Sequence, residues 1–353
     1  MFNDLLVLEL ASVLAGPDVG MFFSELGAKV IKVENKVTGG DVTRKWKSAS
    51  EDPDTLVSAY FSAVNWNKKS VFLNLKSESD QHEVYQLVKK ADVVITNFKP
   101  GDDQKLKMDY QTLKSINPTI IYGEINGYGS LSTRPAYDVV LQAETGFMSM
   151  NGSPQSGPLK MPIALIDVLA AHQLKEGLLV ALLKKNKTNV GSKVEVSLYD
   201  AALASLKNQA TNWLMNREVP QLLGSLHPNI APYGETFLTK DHKRIVLAIG
   251  SDRQFNKLLA IIGASSLIEK QIYQSNQLRV QHRKELAEDL TPYFKLHTST
   301  SLMQELVNEK VPAGAIHSID EVFENEAAQQ LILEEDMNGV QTKRVKTAIF
   351  KIS

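Results

Sequence analysis

Over the first part of the chain, segments with the apolar pattern of a strand take turns with segments that have the apolar spacing of a helix. Residues 5–10 form a short apolar run, which is typical of a strand buried on both faces. A turn at 14–17 leads into residues 18–26, whose apolar spacing predicts a helix with Pro17 at its first position. Residues 29–34 alternate like a strand. These three elements together predict a βαβ unit.

The same alternation continues to about residue 125. Further strands are predicted at 70–75, 92–98 and 119–125, and further helices at 79–90 and 110–116. Strands that alternate with helices usually pair in parallel, with the helices covering the sheet. The pattern therefore predicts an α/β fold that begins with a Rossmann-like, doubly wound domain.

The middle of the chain changes character. Residues 126–162 are rich in Gly, Ser and Pro and are expected to form loops of the kind that carry active sites. The strongest helical pattern of the chain then runs from 167 to 185, with leucines at every fourth position from 174 to 182. The remaining strands are predicted at 194–198 and 244–249, and the remaining helices at 201–216, 254–262, 279–290 and 298–306.

Composition and element order divide the chain into two predicted domains. Residues 1–216 form the large Rossmann-like domain, and the Pro-containing segment 217–234 is interpreted as a linker. Residues 235–324 are predicted to form a smaller α+β domain. The last segment, 325–353, is expected to return to the large domain.

The charge balance and the absence of cysteine narrow the class of protein. The 353 residues contain 39 Lys and Arg and 40 Asp and Glu, so the net charge of −1 argues against a nucleic-acid partner or a polybasic membrane anchor. With no cysteine, thiolate metal sites and thiol nucleophiles are excluded. Asp4 and Glu9 interrupt the apolar N-terminus, and no window has the apolar length of a membrane span. We therefore expect a cytoplasmic protein.

Common catalytic motifs are missing, and no metal site is predicted. The first turn, at 12–20, has two glycines at the wrong spacing for the dinucleotide fingerprint. The chain has no P-loop and no G-x-S-x-G nucleophile elbow. No histidine pair has the i, i+4 spacing of a helical zinc site.

A carboxylate remains as the candidate for chemistry. Asp167 stands where the Pro-rich loop meets the strongest predicted helix. Free N–H groups and a partial positive charge at a helix start are expected to keep such a carboxylate ionised at neutral pH. The alternative interpretation is that Asp167 only caps the helix, because Asp is a favoured N-cap residue.

Several short blocks occur in a fixed order along nearly the whole chain. They read VLELASVLAGP from Val7, LGAKVIKVE from Leu26, GDVTR from Gly40, NKKSVFLNLK from Asn67, ADVVITNFKPG from Ala91, INGYG from Ile125, AYD from Ala136, VEVSLYDA from Val194 and VPAGA from Val311. In content and order they resemble the family III CoA-transferases, the CaiB/BaiF family.

The resemblance implies a function and an assembly. Asp167 matches the position of the family's covalent nucleophile, which attacks an acyl-CoA thioester and later carries CoA as an aspartyl thioester. CoA then passes to a small free carboxylic acid, and no cofactor is needed beyond the CoA thioesters themselves. The family also implies an interlocked homodimer.

The resemblance further implies that the large domain binds CoA. The matching positions are Leu14, Ala15, Asn35, Leu73, Asn74, Leu75, Lys76, Asn97, Phe98, Lys99, Lys105, Pro135, Ala136, Tyr137 and Asp138. The family often has a basic residue where this chain has Asn35, so a phosphate contact is expected to be weaker there. Lys68, Lys69, Lys99 and Lys105 are candidates to supply positive charge; the alternative is that they are solvated surface lysines.

Two other functions remain open at this point. The same family contains 2-methylacyl-CoA racemases, which have a histidine where this chain has Tyr137. A phenol has an ordinary pKa near 10 and an imidazole near 6.5, so the tyrosine is a poor base at neutral pH. A CoA-binding homologue without catalysis is the other alternative, which the presence of Asp167 disfavours. The sequence therefore favours CoA transfer over racemisation.

Overall fold

Thirteen strands occur in the structure, a computed structural model that describes residues 1–353. In chain order they are β1 (Leu6–Glu9), β2 (Lys29–Asn35), β3 (Lys68–Leu73), β4 (Val93–Thr96), β5 (Ile121–Asn126), β6 (Gly152–Ser153), β7 (Gly157–Pro158), β8 (Ser192–Ser197), β9 (Tyr233–Leu238), β10 (Arg244–Ala248), β11 (Ala313–Ala315), β12 (Ile332–Met337) and β13 (Val340–Val345).

Sixteen α-helices accompany these strands, with four short 3₁₀ turns. The helices are α1 (Ala15–Glu25), α2 (Ala59–Ser62), α3 (Glu78–Val88), α4 (Asp102–Lys105), α5 (Tyr110–Ile116), α6 (Asp138–Glu144), α7 (Phe147–Met150), α8 (Leu165–Thr188), α9 (Leu198–Ala204), α10 (Lys207–Asn216), α11 (Asp252–Ile261), α12 (Asn276–Gln281), α13 (Arg283–Phe294), α14 (Ser299–Asn308), α15 (Ile319–Phe323) and α16 (Glu326–Gln329). The 3₁₀ turns are Lys36–Thr38, Val42–Lys45, Ser265–Glu269 and Gln271–Tyr273. None of the helices combines the length and the apolar character needed to cross a bilayer.

A six-stranded sheet forms the centre of the first unit, and its order is β3-β2-β1-β4-β5-β8. Every neighbouring pair is parallel, which confirms the predicted parallel sheet. The order reverses between β1 and β4, the adjacent pair at which the chain switches from one half of the sheet to the other. In open α/β sheets the ligand crevice lies at the carboxyl ends of the strands at this point.

Alternation within the strands explains why helices cover both faces. Val7 and Val93 face one layer, with α1 and α8, whereas the next residues in each strand, Leu8 and Val94, face the opposite layer, with α3 and α5. Since both sets are buried, most side chains of the central strands are apolar on both faces, and buried charged ones such as Lys32 and Glu9 are paired with each other. The continuous apolar runs in the sequence result from this arrangement.

Two compact units emerge from the contacts within the chain. The first contains residues Met1–Met148, Lys160–Val219 and Gln330–Ser353; the second contains Ser149–Leu159 and Pro220–Gln329. Residues 149–159, placed by sequence in the large domain, thus group with the second unit. The last residues attach to the first unit, where Glu25 Oε2 accepts a hydrogen bond from Ala348 N at 2.6 Å.

The second unit has its own sheet and core. Its strands β11-β10-β9 are antiparallel, and α11, α13 and α14 supply eight of the seventeen buried residues of its core. A buried arginine, Arg279, ties the unit together: it pairs with Asp252 at 2.6 Å and donates to the carbonyls of Ala231 at 2.9 Å and Tyr273 at 2.8 Å. These partners satisfy a cation that burial would otherwise destabilise.

Three predicted helices differ from those observed. The first begins at Ala15, so Pro17 is its third residue rather than its first; this is tolerated because the first N–H groups of a helix have no intrahelical partner. The helix predicted at 201–216 is two helices, α9 and α10, which are separated at Ser205 and Leu206. The helix predicted at 279–290 is likewise divided, between α12 and α13, at His282.

Candidate active site

Asp167 is the third residue of α8 and does not cap that helix. The N-cap position is Ala164, which offers no side-chain acceptor. Instead, Asp138 Oδ1 accepts the N–H of Ile166 at 2.7 Å. Because another carboxylate satisfies the start of α8, the capping interpretation of Asp167 is wrong, and its carboxylate is left available for other chemistry.

Helix α6 holds the segment that leads into Asp167. Gln142 Nε2 donates to Asp138 Oδ2 at 2.6 Å, which fixes the carboxylate that caps α8. The same amide accepts the N–H of Met161 through Oε1 at 2.8 Å. Asp138 and Gln142 are one helical turn apart, so both reach the same loop. The sequence analysis missed Gln142, since α6 lies in the stretch that was interpreted as loops.

Burial changes the charge state expected of Asp167. No hydrogen bond to its carboxylate occurs in the structure, and burial, followed by the nearby charge of Asp138, raises its pKa to about 7. The expectation that the helix start keeps Asp167 fully ionised at neutral pH is therefore wrong. The field of these carboxylates extends to Tyr60, whose pKa is raised by burial and then by Asp167 and Asp138. Tyr60 was not identified from the sequence.

A buried ion pair anchors the middle of α8. Lys175 Nζ lies 2.6 Å from Asp18 Oδ2, and both side chains are buried. Asp18 belongs to α1, so the pair fixes α8 against the helix that follows β1. Close contact with the sheet comes from Gly177, where an added Cβ would lie 2.6 Å from Val194 of β8. The element that carries Asp167 is thus held from two sides.

A cavity of about 780 Å³ opens at the carboxyl ends of the strands. Its lining includes residues that follow β1, end β2, follow β3 and follow β4, in agreement with the position expected for a ligand crevice. Six of the residues predicted to bind CoA line it: Asn35, Leu73, Asn74, Leu75, Lys76 and Phe98. Lys45 also lines it and was missed by the sequence analysis, although it directly follows the GDVTR block.

Other predicted residues have positions away from this lining. Leu14 and Ala15 begin α1, and Asn97 is bonded to the backbone of Ser12 in both directions. Lys99 does not line the cavity, and Lys105 is exposed and pairs with Asp102 at 2.9 Å. The remaining group, Pro135, Ala136, Tyr137 and Asp138, lies at the start of α6, where the Tyr137 side chain is 61% exposed.

Lys68, one of the four candidate lysines, differs from expectation, and the Asn35 side chain has a partner of its own. Lys68 is neither solvated nor free: its ammonium donates to Glu9 Oε2 at 2.7 Å, Pro17 O at 2.7 Å and Asn65 Oδ1 at 3.0 Å. Burial lowers its pKa to about 8. With all three protons used, Lys68 is not available for a phosphate. Asn35 uses its side chain to accept the N–H of Val37 at 3.0 Å.

Comparison with known proteins identifies the family. The chain matches CoA-transferase family III over residues 2–352. It is 36% identical to the succinate–glutarate CoA-transferase of Agrobacterium fabrum, over 97% of this chain and 87% of that protein. It is 32% identical to the acetyl-CoA:oxalate CoA-transferase of Acetobacter aceti, over 91% and 82%. A crystal structure of a CaiB/BaiF family protein from Brucella suis superposes with a TM-score of 0.86 at 34% identity, covering 99% of this chain and 92% of that one. The chain therefore belongs to CoA-transferase family III.

Proposed function

We propose that the protein moves CoA from an acyl-CoA to a free carboxylic acid through a covalent intermediate on Asp167. The observation that carries the proposal is the Asp167 carboxylate itself, which is partly buried and accepts no hydrogen bond. A carboxylate in this state is poorly stabilised and therefore a better nucleophile than a solvated one. Relatives named as acyl-CoA:carboxylate CoA-transferases support the reaction class.

The reaction proceeds by exchange at carbonyl carbons. The Asp167 carboxylate attacks the thioester carbonyl, the C–S bond breaks, and a mixed anhydride and CoA thiolate result. The thiolate then attacks the aspartyl carbonyl, which releases the first carboxylate and leaves an aspartyl–CoA thioester. The acceptor carboxylate then attacks the aspartyl thioester and releases CoA thiolate, which leaves a mixed anhydride between the acceptor and Asp167. The thiolate attacks the acceptor's carbonyl in this anhydride, which forms the new acyl-CoA and frees the Asp167 carboxylate. No net proton or electron is consumed.

The residues around Asp167 position it for these attacks. Asp138 and Gln142 fix the loop and the first turn of α8, so that the nucleophile is held on a rigid element. The charge of Asp138 also raises the pKa of Asp167. An aspartate that titrates near neutrality is partly protonated in the resting protein, and only its ionised form reacts.

The cavity supports binding of CoA in the first unit. Its volume is that of a cofactor-sized pocket, and Lys45 and Lys76 add positive charge to its lining. In this proposal the CoA-binding set is the one named in the sequence analysis, with the cavity holding its Asn35, Leu73–Lys76 and Phe98 part. Lys68 is omitted as a phosphate ligand because its protons are already used.

We propose a small dicarboxylic acid as one of the two substrates. Two relatives that align with more than nine tenths of this chain are named for succinate, glutarate and oxalate. The sequence itself does not select among these acids. A panel of short mono- and dicarboxylic acids therefore has to be tested rather than a single one.

We further propose that the functional form is an interlocked homodimer, with a large CoA-binding domain and a smaller α+β domain in each chain. Apolar side chains remain exposed on the first unit, including Val180 and Leu183 on α8 and Trp213, Leu214 and Met215 on α10. Apolar side chains exposed in this number on a single chain are typical of a surface that a second copy covers.

The test measures new CoA thioesters by mass spectrometry. The protein is incubated with an acyl-CoA donor and the panel of free acids, and a new thioester is expected only when donor, acid and enzyme are all present. Asp167→Ala and Asp167→Asn are expected to abolish transfer, since neither side chain is a carboxylate nucleophile, while CoA binding persists. Asp200→Asn is the matched control: Asp200 is also the third residue of a helix, α9, but is exposed.

A second arm distinguishes transfer from racemisation. A 2-methylacyl-CoA is incubated with the protein in heavy water, without an acceptor acid. No deuterium uptake at carbon 2 is expected. Deuterium uptake there, together with no new thioester from any acid, would assign an isomerase instead. Near-normal transfer by Asp167→Ala would contradict the covalent mechanism.

A further inference from the structure

The turn between β1 and α1 is built around a valine in an unfavourable backbone conformation. Val13 has a φ of 71°, in the left-handed region. Nine residues other than glycine have positive φ, and Val13 is the only β-branched one among them. The branched side chain makes this conformation strained, and glycine is the residue that adopts it without cost. The turn must therefore be held by its surroundings.

An ion pair holds both sides of the turn. Asp41 Oδ2 accepts the N–H of Val13 at 3.1 Å and lies 3.0 Å from Lys32 Nζ. The same ammonium donates to the carbonyl of Ala11 at 2.9 Å. Between these two points, Asn97 exchanges two hydrogen bonds with the backbone of Ser12, at 2.9 and 2.7 Å. Side chains thus fix the backbone of three consecutive residues.

The ion pair is itself held rigidly. Asp41 is buried, its Oδ1 accepts the N–H and the hydroxyl of Thr43 at 3.0 and 2.8 Å, and its own N–H donates to Glu34 Oε2 at 2.8 Å. Lys32 gives its third proton to Glu9 Oε1 at 2.9 Å. Reorienting a buried group with this many partners would break several hydrogen bonds at once. The backbone of Val13 is therefore held by Asp41, which is itself fixed by Lys32 and Glu34 of β2.

This turn forms part of the cavity wall. Ala11, Ser12, Lys32 and Asp41 all line the cavity of about 780 Å³. Any change in the path of residues 11–13 alters the shape of that wall at the point where the strand order reverses. Dinucleotide-binding folds build the equivalent turn from glycines; here a strained valine and a buried carboxylate take that place.

We propose that Asp41 is a positioning residue for acyl-CoA binding, which acts by holding Val13 in its left-handed conformation and so fixing the β1–α1 turn. The inference rests on the proposed function in assigning the cavity to CoA. It assigns Asp41 no contact with the reacting atoms. We expect loss of the Asp41 carboxylate to weaken CoA binding because the Val13 backbone relaxes. With glycine in place of Val13, removing the carboxylate is expected to weaken CoA binding less.

The experiment is a double-mutant cycle read by CoA affinity. The dissociation constant of free CoA is measured by titration calorimetry for the wild type, Asp41→Ala, Val13→Gly and the double variant. Asp41→Ala is expected to weaken binding about fivefold or more, since backbone strain of about 1 kcal/mol or more corresponds to at least that factor in an equilibrium constant. The same substitution in the Val13→Gly background is expected to cost about threefold or less, because glycine has no strain to release.

A matched control separates positioning from loss of stability. Asp92 also accepts a backbone N–H, that of Leu6 at 3.1 Å, and also pairs with a lysine, Lys185 at 2.9 Å, but Leu6 begins β1 whereas Val13 follows its other end. Asp92→Ala is expected to lower the melting temperature without changing CoA affinity. Asp41→Asn is included in case Asp41→Ala does not fold.

The outcomes distinguish the inference from the proposed function. If the wild type fails to bind CoA, the proposed function is wrong. If the wild type binds but both Asp41 variants bind equally well, the inference is wrong and the function is untouched. Equal losses in the valine and glycine backgrounds would also overturn it, since they would show that Asp41 acts independently of Val13. In turnover, the expected signature is a raised KM for acyl-CoA with kcat changed less.

Discussion

Asp138 and Asp167 belong to different helices but share one electrostatic environment. Asp138 accepts the N–H at the start of α8, which brings its charge near the carboxylate one residue further on. Burial and this charge both disfavour ionisation of Asp167, whose pKa is about 7. One residue therefore performs two tasks: it caps the helix, and its charge adds to the effect of burial in raising the pKa of the proposed nucleophile.

Asp138→Asn is expected to move the acid limb of the kcat/KM profile to lower pH. The ionised form of Asp167 is the reactive one, so activity falls as the pH drops through its pKa. Removing the negative charge at 138 lowers that pKa, and ionised Asp167 then persists to lower pH. Burial, the larger cause of the shift, remains, so the limb moves only part of the way to the ordinary aspartate value.

Glu144→Gln is the control for this profile. Glu144 is a carboxylate on the same helix, but it is exposed and bonded to Tyr128 at 2.7 Å and to Arg134 at 2.6 Å. Its loss is expected to leave the acid limb in place. An acid limb that does not move in Asp138→Asn, or that moves equally in Glu144→Gln, would show that Asp138 does not set the pKa of Asp167.

Helix α8 is the element on which the site depends. It carries Asp167 in its first turn, and its middle is fixed by the buried pair of Lys175 and Asp18. Leu174 and Leu178 pack into the same core as α1 and the strands. The leucine stripe predicted from sequence explains the packing, but the pair that fixes the helix against α1 links residues far apart in the chain.

Lys175→Met is expected to destabilise the protein by about 3 kcal/mol, because it leaves Asp18 buried without its partner. Denaturant unfolding measures this free energy. Adding Asp18→Leu is expected to recover much of the loss, since two apolar side chains replace the buried pair. Lys185→Met is the control: its pair with Asp92 is more exposed, and the expected cost is below about 1 kcal/mol. Equal losses for the two lysine variants would contradict this account.

At the scale of the whole molecule, the proposed dimer makes a prediction about mass. Light scattering at micromolar concentration is expected to give twice the chain mass of 39.1 kDa. Interlocked chains cannot separate without unfolding, so dilution should not change this value, and unfolding and dissociation should coincide. A stable species of 39.1 kDa would contradict the proposal.

Trp213→Glu, on the exposed face of α10, is expected to reduce the yield of dimer relative to Lys207→Glu on the same helix.

The sequence was sufficient to predict the local elements and the parallel pairing of the first sheet, but not the order of its strands. Short apolar or alternating runs place β1 to β5 within a few residues of their observed bounds, because most side chains of these strands are buried. The blocks around Asn35, Leu73 and Phe98 indicated residues that do line one cavity. Asp167 was singled out by its place at a loop–helix junction.

Which polar groups already have hydrogen-bond or ion-pair partners, and which can bind a ligand, depends on the tertiary structure. Nothing in the local sequence shows that the ammonium of Lys68 donates all its hydrogen bonds within the protein. Nor does it show that Asp138 rather than Asp167 caps α8, or that Asp41 accepts the N–H of Val13. Each of these contacts joins residues from different elements, and a pKa depends on burial and on neighbours that only folding brings near. Periodicity reports which face of an element is buried, whereas the partner of a charge depends on how the elements pack.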